Sequence, residues 1–368
     1  MTFDPLSPPP LLTSDLPGIG GRIKQSPEDF EVEEIPAYEP SGQGEFLYLW
    51  IEKRDLGADY FFRQVARRLD IPLSEVGAAG MKDRHALTRQ MISVPVSVED
   101  RLVHLEGDGI RLLKVGRHSN KLRPGHLHGN RFRVLIRNVN STNDLPALIE
   151  RLRGSGLPNY YGPQRFGRDG ETVLLGLALL RGQKSSPFAV EGSQATSEKN
   201  RRLSPWLRRL ALSAAQSALF NHCLGMRLTD GLFRRVLTGD VMAKWPYGGL
   251  FVADDVQREQ ARFDARETVT TGPMFGRKMF AAAAEARQRE EAVLADAGLT
   301  PSSFAGFGKL LQGTRRKNLV YLDDLQVSEE TEGVRVCVSL PAGSYATVLL
   351  REFMKNGEIG DDEPDSTM

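Results

Sequence analysis

Only two cysteines, Cys223 and Cys337, occur in 368 residues. They stand far apart among apolar neighbours, which excludes a disulfide-stapled scaffold and fits buried thiols in a reducing cytoplasm. Neither has the setting of a nucleophile. Net charge is scarce as well: 48 Lys and Arg against 47 Asp and Glu leave +1, so the chain as a whole does not advertise a polyanion partner. No uninterrupted apolar run reaches membrane length, and the opening MTFDPLSPPPLLTSDLPGIGG lacks the basic start and apolar core of a signal peptide. A soluble, cytoplasmic protein is expected. A Walker-type loop is missing, the GIGG at Gly18 having no strand before it, and so is a Gly-x-Ser-x-Gly elbow; a nucleotide cofactor and an α/β-hydrolase are both disfavoured. His126 and His128 flank Leu127 with no cysteine or third histidine nearby, so no metal is expected.

What is present is an ordinary globular composition, 40% hydrophobic and 26% charged, at a length that favours two domains. FEVEEI and EFLYLWI, separated by YEPSGQG, read as an antiparallel pair. Phe61, Val65 and Leu69 have helical spacing, RQMISVPVSV alternates like a strand, and Asn130 to Arg137 forms another. From about Leu157 to Asn318 the text turns mostly helical, with PWLRRLALSAAQSALFNHCL and MFAAAAEARQREEAVLADAG as its longest helices, and Leu319 to Ser339 returns to strands that can rejoin the first sheet. An inserted, helix-rich domain is therefore expected. The first 21 residues read as a loose arm, 185–202 as a mobile polar loop and 359–368 as a frayed acidic tail.

Two stretches carry chemistry. Ile110 to Arg137 holds eight Lys and Arg and no acid, interleaved with Phe132, His118, His126 and His128. It is either a solvated charged face or an RNA-binding one, with cations on phosphates and rings on unpaired bases. Lys199, Arg201, Arg202, Arg208 and Arg209 around Trp206, and the run Arg315, Arg316 and Lys317, would widen that footprint. The second stretch is AAGMKDRHALTRQ, where Asp83 stands between Lys82 and Arg84. Neighbouring positive charge favours an ionised carboxylate, suited to a nucleophile or general base; the alternative is a turn aspartate paired with Arg84.

GMKDRHALTRQ resembles the signature around the catalytic aspartate of the TruD family of tRNA pseudouridine synthases. KQSPEDFEVEEI at Lys24, KLRPGHLHGNRF at Lys121, NYYGPQRFGRDG at Asn159 and SLPAGSYATVLLREF near the end are similar to four further motifs of that family, in the same order. The resemblance implies an α+β fold. A pseudouridine-synthase-like catalytic domain with a mixed, mainly antiparallel sheet would span 22–156 and 319–358. It would be interrupted by a helix-rich α/β TRUD domain at 157–318, the two forming a cleft for RNA.

The resemblance further implies conversion of uridine to pseudouridine in tRNA, at position 13 in the D arm, by a cytoplasmic monomer without cofactor or metal. Asp83 matches the catalytic aspartate. Phe30, Asn130 and Phe132 match positions lining the uracil site, Lys24 a lysine near it, and Tyr345 a position where bacterial relatives carry Phe. Lys121, Arg123, Arg131 and Arg165 are the candidate contacts to the RNA backbone. Whether Asp83 attacks sugar or base, or acts through a glycal, stays open. So does which of Lys82 and Arg84 touches it. Two rivals fit parts of this text: an RNA-binding relative without activity, which would tolerate loss of Asp83, and a metal-dependent RNA hydrolase, which would need clustered carboxylates.

Overall fold

The structure, a computed structural model, describes residues 3–183 and 203–356. The expectations for the 185–202 loop, for Lys199, Arg201 and Arg202, and for the tail at 359–368 lie outside the described residues. The chain divides into two units. Asp15–Gly154 with Tyr321–Met368 form a sheet unit, and Met1–Ser14 with Ser155–Val320 form an inserted unit.

The sheet unit begins with β1 (Gly20–Arg22), β2 (Phe30–Pro36), β3 (Phe46–Arg54), α1 (Ala58–Arg68), β4 (Gly77–Ala78), β5 (Leu87–Pro95), β6 (Ile110–His118), β7 (Leu127–Val139) and α2 (Leu145–Ser155). The inserted unit follows with β8 (Leu157–Pro158), α3 (Glu171–Leu180), α4 (Pro205–Thr229), β9 (Val241–Lys244), β10 (Leu250–Val252), α5 (Val256–Asp264), β11 (Thr268–Met274), α6 (Ala284–Asp296), β12 (Thr314–Lys317) and β13 (Leu319–Val320). The chain then returns to the sheet unit as β14 (Gln326–Glu330), β15 (Gly333–Pro341) and α7 (Ala346–Met354).

The large sheet runs β14-β15-β7-β2-β5-β3-β6, with β1 added to β7 and β4 to β5. All its pairings are antiparallel except β2 with β5. The two strands expected to form a hairpin, β2 and β3, are therefore not neighbours. β5 lies between them, because it is buried continuously from Gln90 to Val94, and a strand buried on both faces belongs in mid-sheet. Strand alternation then sorts the side chains. Phe30, Val32 and Glu34 of β2 share one face with Ile51 and Lys53 of β3, Thr88 and Gln90 of β5, and Asn130 and Phe132 of β7. On the other face Glu31, Glu33 and Glu52 surround Arg89.

Helix α1 covers part of the first face. Its apolar stripe, Phe61, Val65 and the following Leu69, packs with Leu49, Ile51, Ile92 and Val94 in one core. Asp59 in its first turn and Arg67 and Arg68 in its last suit the helix dipole.

The expected arm over 1–21 is not loose among the described residues. Ile19 and Thr13 are fully buried, Gly20 and Arg22 pair with β7, and Phe3 lies edge-on against His222 within the inserted unit. The inserted unit is helix-rich as expected, and beside its helices it carries a sheet ordered β10-β9-β11-β12. All seven residues of β11 are buried, so it lacks an alternating pattern, and its Gly-Pro reads as a break. The helix expected from Met279 begins only at Ala284, because the Ala283 amide donates to Gly239 O (3.0 Å) instead. Helices α3 and α4 meet at Gly176, where a Cβ would stand 2.0 Å from Ala211 O.

Asp29 anchors the turn into β2. Its carboxylate accepts from Arg137 Nε (2.9 and 3.0 Å) and Nη2 (2.8 Å) and from the Ser26 amide (3.0 Å). Burial works to raise the Asp29 pKa, but the Arg137 and Ser26 hydrogen bonds outweigh it and hold the carboxyl below its ordinary value. A pKa lowered by folding contributes stability above the unfolded value, near 4, and loses it as pH falls through the folded one. Asp29→Asn is expected to cost about 2 kcal/mol at pH 7, less than for a fully enclosed pair because Arg137 keeps Glu332. Urea titrations at pH 7 and pH 3 check this: the difference from wild type should shrink at the lower pH.

Candidate active site

Asp83 follows β4 on the loop that leads into β5, half-buried between a buried Lys82 and an exposed Arg84. The Lys82 ammonium turns to Glu34 (2.8 Å to Oε2), with side-chain exposures of 5% and 1%, and lies off the direction of a hydrogen bond. The main chain of Asp83 is held by a residue from β3: Lys53, fully buried, donates from Nζ to Asp83 O (2.8 Å) and Leu56 O (2.5 Å). Further along the loop, the Asp55 amide donates to Ala86 O (3.1 Å) and His85 contacts Asp55 (2.9 Å).

Around this loop the first sheet face supplies the other candidates. Asn130 sits opposite Glu34 in the β2–β7 register and opposite Leu340 in the β7–β15 register. Gly129 before it admits the close approach of β15, since a Cβ there would stand 2.2 Å from Leu340 O. Phe30 and Phe132 meet edge to face, 6.2 Å between centroids at 69°. Lys24, at φ +59°, places its ammonium 4.8 Å from the Phe30 ring centre. Tyr345 is the half-buried residue preceding α7, reached through a turn in which the Ala342 amide donates to His128 O (3.0 Å).

Sequence reasoning missed three members of this face. Among the described residues eleven buried side-chain atoms lack a hydrogen-bond partner. Six of them belong to Glu34 (both oxygens), Thr88 Oγ1, Gln90 (both amide atoms) and Asn130 Oδ1. Buried polar groups are ordinarily satisfied, so this concentration on three adjacent strands makes them the candidates for contact with a ligand. The register separates the strands here. β2 pairs with β5 only up to Glu33 and Arg89, while β4 takes over β5 at Ile92 and Ser93, so the strands part at Glu34 and Gln90. A legible signal existed: Phe30, Val32 and Glu34, like Leu49, Ile51 and Lys53, are series of one parity in which a charge replaces the expected apolar residue.

The expected phosphate contacts are dispersed. Arg131 points to the opposite sheet face from Asn130 and Phe132 and pairs there with Glu33 (3.4 Å). The Lys121 ammonium is bound to Ser74 O, and Arg123 is exposed. Arg165 lies in the inserted unit, donating to Ser213 Oγ (2.5 Å) and Ser217 Oγ (3.3 Å) of α4. The stretch Ile110 to Arg137 is acid-free in sequence but not in space, since Arg117, Arg133 and Arg137 have Glu99, Glu31 and Asp29 as partners. His118 stacks on Tyr38 (5.1 Å) and His126 contacts the Tyr38 hydroxyl (2.7 Å), so both rings have protein partners.

The run Arg315, Arg316 and Lys317 is not a phosphate patch. Arg315 is enclosed with Glu290 (2.5 Å), Arg316 lies over Tyr161 (4.0 Å) and binds Asn159 Oδ1 (2.8 Å), and Lys317 lies over Trp245 (4.6 Å). Burial also lowers the pKa of the Lys317 ammonium. NYYGPQRFGRDG thus joins β12 to α4, where Asn221 and the Tyr161 main chain exchange hydrogen bonds of 2.8 and 2.9 Å. Burial pushes the Cys223 thiol up to about 12 and raises that of Cys337, which leaves both poor nucleophiles. No three His, Cys, Asp or Glu among the described residues are grouped to hold a metal.

The sequence matches the family model for tRNA pseudouridine synthase D (TruD) over residues 10–197 and 190–353. The chain belongs to the TruD family. A tRNA pseudouridine synthase D from an Anaeromyxobacter species is 42% identical over 95% of this chain and 96% of its own. The protein of that name from Thermus thermophilus is 44% identical over 94% and 92%. A crystal structure assigned to TruD from Methanosarcina mazei superposes with a TM-score of 0.75 at 26% identity, covering 95% of this chain and 97% of that one.

Proposed function

We propose that this chain isomerises uridine to pseudouridine at position 13 in the D arm of tRNA, with Asp83 as the catalytic group and no cofactor. It acts as a cytoplasmic monomer. No helix among the described residues is long and apolar enough to cross a membrane.

The reading rests on one observation, the cluster of unsatisfied polar atoms beside the Asp83 loop on the face that carries Phe30 and Phe132. An extruded uracil needs both kinds of partner, rings against its faces and amides against its edge. Asn130 offers an acceptor without a partner and stands across from Glu34, which is tied to the residue before Asp83. The reaction breaks the bond from ribose C1′ to uracil N1, turns the base and joins C1′ to C5. The C5 proton leaves and N1 gains one, so atoms and electrons balance without a redox partner. Asp83 attacks sugar or base, or stabilises a glycal and moves a proton. Enclosure by apolar rings keeps the detached base from escaping.

The test is release of tritium to water from a transcribed tRNA pool carrying C5-tritiated uridine. Release from the pool, and its loss when U13 is replaced by C, is the expected result. Release that persists without U13 would disprove the position, and no release at all would leave a binding protein. Arg123, exposed on the loop before β7, is a phosphate contact in this reading. Arg123→Ala should weaken tRNA binding and make the salt dependence of log K shallower by about 1. An unchanged slope in filter binding between low and moderate salt would remove Arg123 from the interface.

A further inference from the structure

We propose that Lys53 and the Glu34–Lys82 ion pair are positioning residues that sling Asp83 between two strands and fix where its carboxylate stands. This rests on the reading of Asp83 as the catalytic group. In the sheet order β2-β5-β3, the strand that Asp83 leads into is the middle one. Lys53 reaches it from β3 through the Asp83 carbonyl (2.8 Å), and Glu34 reaches it from β2 through Lys82 (2.8 Å). Both anchors are deeply buried, Lys53 at 0% and Glu34 at 2% exposure.

Burying a lysine to serve two main-chain carbonyls is a poor route to stability, because an apolar side chain fills the same volume without desolvating a charge. What the ammonium does provide is a fixed height for the Asp83 main chain. The ion pair does the same one residue earlier, where its contact lacks hydrogen-bond direction and so adds attraction without satisfying the Glu34 oxygens. Carbonyl and preceding side chain are thus both held, from opposite sides of the strand. A reacting group displaced by about 1 Å loses on the order of a hundredfold in rate, so a two-sided anchor acts on turnover rather than on tRNA binding.

Single-turnover tritium release from the same transcribed tRNA pool tests this with Glu34→Gln, Lys82→Met, Lys82→Arg and Lys53→Met. Expected is a fall of roughly a hundredfold in rate for Glu34→Gln and Lys82→Met, with tRNA Kd within about twofold of wild type. The double variant should be no slower than the slower single one, because the two residues act as one pair. Lys82→Arg, which keeps the charge, should recover most of the rate. Should Lys53→Met fail to fold, the pair variants carry the test alone.

Glu34→Gln and Lys82→Met that fold, by near-ultraviolet dichroism, and react at the wild-type rate would overturn the proposal. So would a rise in Kd with the rate unchanged. Asp83→Ala is run alongside. If it reacts at the wild-type rate, the catalytic reading falls and the sling with it; if it is inactive while the pair variants keep full rate, only the sling falls.

Discussion

Asp83→Ala is expected to release tritium from C5-labelled tRNA at least about 10⁴-fold more slowly than the wild type, the scale seen when an enzyme loses its central reacting group. It should bind the same tRNA within about threefold. The two halves of this expectation have separate physical grounds. The rate falls because, among the described residues, the carboxylates near this loop are engaged or turned away: Glu34 is enclosed with Lys82, Asp55 contacts His85, and Glu31 and Glu33 lie on the opposite side of the sheet. Binding and folding persist because two of the loop's attachments to the body of the unit survive the substitution. One runs through the Asp83 carbonyl to Lys53 and the other through Lys82 to Glu34. The change in unfolding free energy should stay within about 1 kcal/mol, as for a partly exposed side chain outside the core. Asp83→Asn, which keeps shape and removes charge, should be nearly as inactive. An active Asp83→Asn would show that the carboxylate charge is not what the reaction uses.

The largest effect on stability is expected in the inserted unit. Asp240 and Arg227, 3% and 7% exposed, face each other with Nη1–Oδ1 at 2.9 Å and Nη2–Oδ2 at 2.6 Å. Asp240 also accepts from the Leu237 amide (2.8 Å), and Arg227 donates to Leu232 O (3.1 Å), so the pair ties the end of α4 to the turn before β9. Asp240→Ala leaves an enclosed guanidinium without its counter-charge and should cost about 3–5 kcal/mol. Adding Arg227→Met removes the stranded charge and should return a large part of that loss, because a buried pair replaced whole by apolar groups is often close to neutral. Urea midpoints of wild type, single and double variant check the order. A double variant less stable than Asp240→Ala alone would show that the carbonyl contacts of Arg227 matter more than its charge partner.

Much of the architecture was legible because it is local. Phe61, Val65 and Leu69 declare α1, the run from Pro205 declares α4, and the return to alternation after Leu319 marks the chain re-entering the first sheet. The candidate site was legible through motifs at Asp83, Phe30, Asn130 and Phe132, residues that the sheet places on or beside one face. What was not legible depends on partners distant in sequence. No local pattern shows that β5 enters between β2 and β3, and that order decides where the strands part at Glu34 and Gln90. Counting charges along Ile110 to Arg137 likewise misled. Strand alternation sends Arg131 and Arg133 to the face opposite Asn130, where glutamates of β2 await them. Arg315 and Arg316 read as exposed cations because nothing nearby in sequence shows Glu290 or Tyr161 closing over them.

The place of β15 beside β7 also sets a schedule for synthesis. Nine residues of β7, Gly129 to Arg137, pair with Pro341 to Gly333, so the Ser155–Val320 part of the inserted unit must be made between the two partners. At ribosomal speeds of roughly 5–20 residues per second, that edge of β7 waits on the order of ten to forty seconds for its neighbour. An open edge of that length invites pairing with other nascent chains. Arg131 and Arg133, on the face opposite Asn130, place charged side chains along the waiting strand, and charge on an open edge is a guard against such pairing.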